Sequence, residues 1–148
     1  MILIEFECEG HRFGLPLSHV RRVIPSACPA PLPGTPGIVL GAVNYAGEIF
    51  VVLNFKQRAG LPFSVMNKSQ QLLLLDLAGI CLCLLVDRVL GVATRHLQDH
   101  PDFPAEISGN AMVQSIHRLD DGLCVILDPQ RFLLDDEQTL IAQAIEGL

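Results

Sequence analysis

The sequence predicts an all-β protein built from two small, similar barrels, and three observations lead there. Apolar residues recur at a period of two in short runs separated by turn-forming residues, the mark of half-buried strands. The 148 residues include 10 prolines and 12 glycines but no tryptophan, a balance suited to many short strands joined by turns. The two halves also share one apolar pattern. Phe13, Leu15, Leu17, Val20 and Val23 align without gaps on Leu82, Leu84, Val86, Val89 and Val92, and Ile49, Val51, Leu53 and Asn54 align on Leu123, Val125, Leu127 and Asp128. Such alternation also recurs by chance among β proteins, so duplication and coincidence both stay open on the pattern alone. Each half is too small to be stable independently, which predicts packing through a shared apolar seam.

Ile2, Ile4, Phe6 and Cys8 alternate with Leu3, Glu5, Glu7 and Glu9, predicting a half-buried first strand that turns at Gly10-His11. Phe13, Leu15 and Leu17 alternate on a second strand, where Pro16, lacking an N–H, marks an edge or a strand end. Ser18 is placed to cap a short helical turn over residues 19–24, which Pro25 stops. Pro25, Pro29, Pro31, Pro33 and Pro36 keep the following stretch extended on the surface. Residues 32–62 are the most informative part of the chain. There a proline–glycine loop, Leu32-Pro33-Gly34-Thr35-Pro36-Gly37, leads into an apolar strand over 38–44, the turn Tyr45-Ala46-Gly47-Glu48 and a second apolar strand over 49–54. A polar connector, including Gly60-Leu61-Pro62 and Met66-Asn67-Lys68-Ser69, precedes a second hairpin, 71–77 and 80–86, turning at Ala78-Gly79. Val86, Val89 and Val92 continue at a spacing of three, and another proline loop passes through Pro101 and Pro104. Both halves thus read strand, short helical turn, proline loop, hairpin. Residues 111–119 and 123–127 predict two strands around Asp120-Asp121-Gly122. Asp135, Asp136 and Glu137 open a helix at its positive end, with Leu140, Ile141, Ala144 and Ile145 as its apolar stripe.

Composition excludes several classes. Half the residues are apolar and only 18% are charged, which excludes disorder. A net charge of −6 argues against nucleic-acid binding, which depends on cations neutralising phosphates. The most apolar run, 72–86, is shorter than the roughly 20 residues a bilayer-spanning helix needs, and Asp76 and Gly79 interrupt it. The N-terminal strand has no basic region or cleavage site of a signal peptide, and five cysteines are an odd number for a disulfide framework. These features predict a cytoplasmic protein with free thiols.

Catalytic patterns are missing from the sequence. His11, His19, His96, His100 and His117 are scattered over predicted turns and loops, and the helical spacing of His96 and His100 is followed at once by Pro101, so they read as solvated rather than metal-binding. Cys81 and Cys83 alternate with leucines and read as small core residues, lacking the spacing of a redox motif. Asp87 and the pair Asp120-Asp121 sit where aspartate satisfies backbone donors at strand ends. No phosphate-binding glycine loop, nucleophile elbow or serine–histidine–acid set is present.

Three motifs, in order, carry a resemblance. The first is Gly41-x-x-Asn44-x-x-Gly47 with Leu53-Asn54, preceded by Pro33-Gly34-Thr35-Pro36. The second is Leu85-Val86-Asp87-x-Val89, and the third Gly122-x-x-x-Ile126-Leu127-Asp128. Singly they are strand-and-turn grammar, but their order and spacing are specific. Over residues 4 to about 134 the chain resembles the CheW-like family. The resemblance implies an all-β fold of two intertwined five-stranded SH3-like barrels with short helices and a C-terminal helix. It implies a single CheW-like domain over 1–148, with two barrel subdomains divided near 62–80, and no catalytic activity, cofactor or metal. It implies a non-enzymatic adaptor coupling chemoreceptors to a CheA-type histidine kinase. One barrel edge would meet the kinase's regulatory domain, and the groove between barrels would take the receptor's cytoplasmic helical tip. Partner-facing residues would include Val20, Arg21, Arg22, Gly41, Asn44, Tyr45, Ala46 and Gly47.

Two positions depart from that family's pattern. Where it typically has Asn-Leu-Arg-Gly, this chain has Asn44-Tyr45-Ala46-Gly47, and where it carries a glutamate after Val-x, this chain has Val20-Arg21-Arg22. The family positions are complementary charges close together, so losing both costs less than stranding one, and a remodelled surface is expected. Arg21 and Arg22 read either as a solvated face or as receivers of an acidic partner, and Tyr45 either as local packing or as an interface anchor. Two other functions stay in view: a CheW-like interaction protein of another chemosensory or surface-motility pathway, and a small β-barrel enzyme or ligand binder sharing only architecture.

Overall fold

The computed structural model describes residues 1–62, 65–77, 79–96 and 111–148. Strands β1 (Ile2–Cys8) and β2 (His11–Pro16) form a hairpin, and a 3-10 turn at Leu17–His19 leads into β3 (Val20–Pro25). After the proline loop come β4 (Val39–Tyr45), β5 (Glu48–Leu53) and a short helix α1 (Phe55–Ala59). The second half contributes β6 (Gln71–Leu77), β7 (Ile80–Val86), β8 (Arg88–Thr94), β9 (Val113–Leu119) and β10 (Gly122–Leu127). A 3-10 turn at Pro129–Arg131 and helix α2 (Asp135–Glu146) complete the described elements.

Two five-stranded sheets result, ordered β8-β1-β2-β10-β9 and β3-β6-β7-β5-β4. Pairing β1 with β6, β2 with β7 and so on turns one order into the other. The equivalence extends to residues. In the parallel β2–β10 contact Phe13 lies opposite Val125, and in the parallel β5–β7 contact Leu82 lies opposite Val51. Those are the positions that align in the sequence. Each repeat gives one strand to the other's sheet: β3 pairs with β6, and β8 pairs with β1. One sheet is therefore built from β3 to β7 and the other from the strands on both flanks of that span.

The main core lies along the seam between the sheets, where Phe6, Phe13 and Phe55 meet with ring centroids 5.1–5.6 Å apart. Each such ring contributes about 1.5–3 kcal/mol by leaving water. Leu15, Leu53, Leu84, Val86 and Leu127 are buried there as the alternation predicts, with Leu17, Val20 and Val89 half-buried against them. Phe50, Val52, Leu72, Leu74, Cys83 and Leu85 fill the other face of the second sheet. Because β6 and β7 are covered on both faces, their sequences are near-continuous apolar runs.

Several expectations are corrected. The helical turn over 19–24 is instead strand β3, with Arg22 opposite Leu74 and Ile24 opposite Leu72. Val20, Val23 and Ile24 are β-branched, and an open edge of β6 satisfies their backbone better than a single helical turn would. Ser18 lies within the 3-10 turn and makes no cap there. Strand β1 is covered on both faces rather than one: Leu3 and Glu5 are buried, while Ile2 at its end is 52% exposed. Glu5 is held by Arg95 at 2.8 and 3.1 Å. Pro16 marks a strand end and not an edge, since β2 lies inside its sheet. In α2, Ile141 is buried and Ala144 and Ile145 pack on the core, but Leu140 faces solvent. Helix α1 was not anticipated. Asn54 caps it, accepting from the Gln57 N–H, and Gly60 ends it in the left-handed conformation.

Candidate functional site

The β4–β5 turn is a tight hairpin in which Tyr45 lies opposite Glu48, and Ala46 and Gly47 both have positive φ (52° and 84°). That is the backbone of a two-residue I′-type turn, whose twist matches the flanking strands. Asn44 braces it by accepting a 3.1 Å hydrogen bond at Oδ1 from the Gly47 N–H. Asn44 and Gly47 thus shape the turn. Gly41 is buried, with φ 149°, and a Cβ there would press into the Ala30 carbonyl oxygen and lie 2.8 Å from Pro29 Cβ. It lets residues 29 and 30 cross β4 closely enough for Ala30 and Ala42 to exchange two 2.8 Å backbone hydrogen bonds. Gly41 is therefore a buried support of β4.

Strands β3 and β4 are the opposite edges of their sheet, yet their side chains meet because the sheet curls. The Arg22 guanidinium lies 5.7 Å from the centre of the Tyr45 ring. Arg21 crosses to the β5 and β6 ends, with Nη2 2.6 Å from Glu48 Oε2 and Nε 3.4 Å from Asp76 Oδ2, and it also covers the Phe50 ring at 5.3 Å. The Glu48 hydrogen bond leads in holding the Arg21 pKa above its ordinary value. Val20 is half-buried in the seam core, so it anchors β3. Six of the eight expected positions, Arg21, Arg22, Asn44, Tyr45, Ala46 and Gly47, therefore gather at one end of the curled sheet.

Glu48 and Asp76 are the residues that sequence reasoning missed. The charge pair expected to be absent has an inverted counterpart, with the cation on β3 and the carboxylate on β5. The signal was present in Glu48, next to the altered turn, but choosing it over other carboxylates requires knowing that β3 is a strand.

A second polar cluster sits on the seam. Lys56 Nζ, at the start of α1, lies 2.7 Å from both Glu9 and Asp87. Asp87 also accepts from the Glu9 backbone N–H and from Gln70. Burial opposes ionisation of Asp87, yet its bonds from Lys56, Glu9 and Gln70 together hold the carboxyl below its ordinary value. Burial likewise opposes the Lys56 charge, and its bonds to Asp87 and Glu9 raise its pKa nonetheless. The cluster ties the β1–β2 turn to the β7–β8 junction.

Among the described residues no group of three or more His, Cys, Asp or Glu side chains is placed to hold a metal ion. His117 is buried on β9, 2.7 Å from the Ser115 hydroxyl, which corrects its reading as a solvated loop residue. His96 is exposed, and His100, Pro101 and Pro104 lie outside the described residues. All five cysteines are free. Cys83 is fully buried as expected, whereas Cys81 is half-buried beside Arg21 and Asp76. Hollows of about 170 Å3 beside Leu40 and Gln70 and about 280 Å3 beside α2 fall below the roughly 300–1,000 Å3 usual for ligand sites. No helix among the described residues is long and apolar enough to cross a membrane.

Comparison with known proteins matches this architecture. Scaffolding protein TtCheW from Thermoanaerobacter tengcongensis has a similar fold, with a TM-score of 0.79 at 22% identity over 92% of this chain and 89% of that one. Chemotaxis protein CheW of Rhizobium meliloti (strain 1021) is 26% identical over 107 residues, 70% of this chain and 69% of that protein. The family model described as CheW-like domain matches residues 3–137. Its members are non-enzymatic adaptors that couple chemoreceptors to the kinase CheA. The matched span runs from β1 into α2, through both exchanged strands and the β4–β5 turn, and the chain accordingly belongs to the CheW-like domain family.

Proposed function

We propose that the protein is a non-enzymatic adaptor of chemotaxis-type signal transduction, joining a CheA-type histidine kinase to a chemoreceptor in the cytoplasm. The observation that carries this reading is the family match over residues 3–137, which takes in both five-stranded sheets and their exchanged strands. The chemistry of the described residues supports it, since their charged clusters are ion pairs that brace strands, and the hollow that Lys56 and Gln70 line is only about 170 Å3. The kinase arm is a protein–protein contact with the kinase's regulatory domain. The receptor arm uses the end of the curled sheet around Arg21, Arg22, Asn44, Tyr45, Ala46 and Gly47.

Titration calorimetry against the regulatory domain of a CheA-type kinase from the same genome tests this. One-to-one binding is expected, with kinase activity rising only when a receptor fragment is also present. Absence of binding to every such kinase domain would sink the proposal. The inverted Arg21–Glu48 pair favours a second reading, in which the adaptor serves another chemosensory or surface-motility pathway with a changed receptor. Preference for one receptor tip over the rest of the genome's set supports that reading, and equal binding to all of them counts against it.

A further inference from the structure

We propose that Arg22, held on the Tyr45 ring, is the specificity-determining residue of this surface and takes a single carboxylate of the partner. The inference rests on the adaptor reading and specifies the chemistry of its second partner. Seven of the ten Lys and Arg side chains have a described carboxylate within 4.0 Å; Arg22, Lys68 and Arg118 have none. Of those three, Arg22 is the one whose guanidinium is placed over an aromatic ring. Tyr45 makes a firm platform, because it packs against the Phe50 cluster at a turn that Asn44 braces. Attraction to the ring face keeps the guanidinium near Tyr45 and leaves its N–H fork free, so part of the conformational cost of meeting a carboxylate is met before binding.

The neighbours limit what fits. Arg21 is already engaged by Glu48 and Asp76, so it brings no free positive charge to a partner. Those two carboxylates repel an acidic tract. The arrangement therefore selects one aspartate or glutamate flanked by neutral side chains, with the bidentate geometry that an arginine fork prefers.

The test measures binding of the natural protein and of Arg22→Gln, Arg22→Lys and Tyr45→Leu to cytoplasmic hairpin-tip fragments of the same genome's receptors. The kinase regulatory domain serves as a separate ligand and folding control. Arg22→Gln should weaken hairpin binding about ten- to 150-fold, the range for charge-assisted hydrogen bonding, and should flatten its salt dependence. Arg22→Lys should recover only part of the loss. Replacing one hairpin glutamate by glutamine should reproduce the loss without adding to that of Arg22→Gln, and polyglutamate should not compete. Unchanged hairpin affinity in Arg22→Gln overturns the inference and leaves the adaptor reading standing. A natural protein that binds the kinase domain but no hairpin overturns the inference and the receptor arm together, and one that binds neither sinks the adaptor reading itself.

Discussion

Gly41 is the position where one added carbon should do the most damage. Its φ of 149° is rarely adopted by L side chains, and forcing alanine there costs about 1–3 kcal/mol. A Cβ would also meet the Ala30 carbonyl oxygen and Pro29 Cβ, driving residues 29 and 30 off β4. That movement breaks the two Ala30–Ala42 backbone hydrogen bonds, each worth about 0.5–1.5 kcal/mol. Together Gly41→Ala should lose about 2–6 kcal/mol. A loss of about 3 kcal/mol would lower the Tm by about 6–12 °C in a chain of this size. Urea unfolding at constant m-value gives the stability change, and faster amide exchange at Ala30 and Ala42 locates it. Gly37→Ala is the control, since nothing lies within 4 Å of a Cβ there. If Gly41→Ala stays within 1 kcal/mol of the natural protein, or if both variants lose equally, the close-approach reasoning is wrong.

Ala46 also has positive φ, and Ala46→Asn, which suits an I′ turn, should stabilise by about 0.5–1 kcal/mol in the same unfolding assay. Asp87 is held below its ordinary 3.8, so its contribution is complete above that value and is lost as pH falls through the folded pKa. Asp87→Asn should flatten that part of the acid limb of stability. Lys56 has the opposite sign: its pKa is raised above 10.5, so its contribution is complete below 10.5 and is lost as pH rises beyond it, a loss that Lys56→Met should abolish. Burial pushes the thiols of Cys8, Cys83 and Cys124 up to about 12, so a disulfide reagent should label Cys28 at once, Cys81 more slowly, and the other three only on unfolding. Prompt labelling of a third thiol in the native protein would contradict the described burial.

Elements whose partners lie nearby in sequence were legible; those decided by distant partners were not. The hairpin of β6 and β7 has the predicted bounds because each strand finds its neighbour across one turn. The repeat alignment was correct to the residue, since the pairings Phe13–Val125 and Leu82–Val51 fix equivalent positions. Strand β3 was misread because Val20, Val23 and Ile24 have a spacing that a helix shares, and what makes them a strand is β6, which arrives some fifty residues later. Glu5 and His117 are polar residues buried by packing from distant segments, and nothing adjacent to them in sequence announces it. The candidate site was legible as a turn, through Asn44 and Gly47, but its charges were not. Which carboxylate faces Arg21 depends on how three strand ends are brought together.

The exchange of β3 and β8 also sets an order of assembly during synthesis. The β1–β2 hairpin is made first, yet its sheet waits for β8, whose last residue is Thr94, and then for β9 and β10. At ribosomal rates of about 5–20 residues per second, that interval is several seconds, far longer than a hairpin takes to form. Meanwhile β3 emerges before its own partner β6, and β1 offers it the edge equivalent to that of β6. A sheet drawn from one repeat alone is thus the nearest competitor of the native pairing, and the nascent chain has to surrender it. Charge does not discourage that trap: β1 carries Glu5 and Glu7, and Arg22 would there take the place that Gly91 holds opposite Glu5. Release therefore depends on Arg21 finding the carboxylates of β5 and β6.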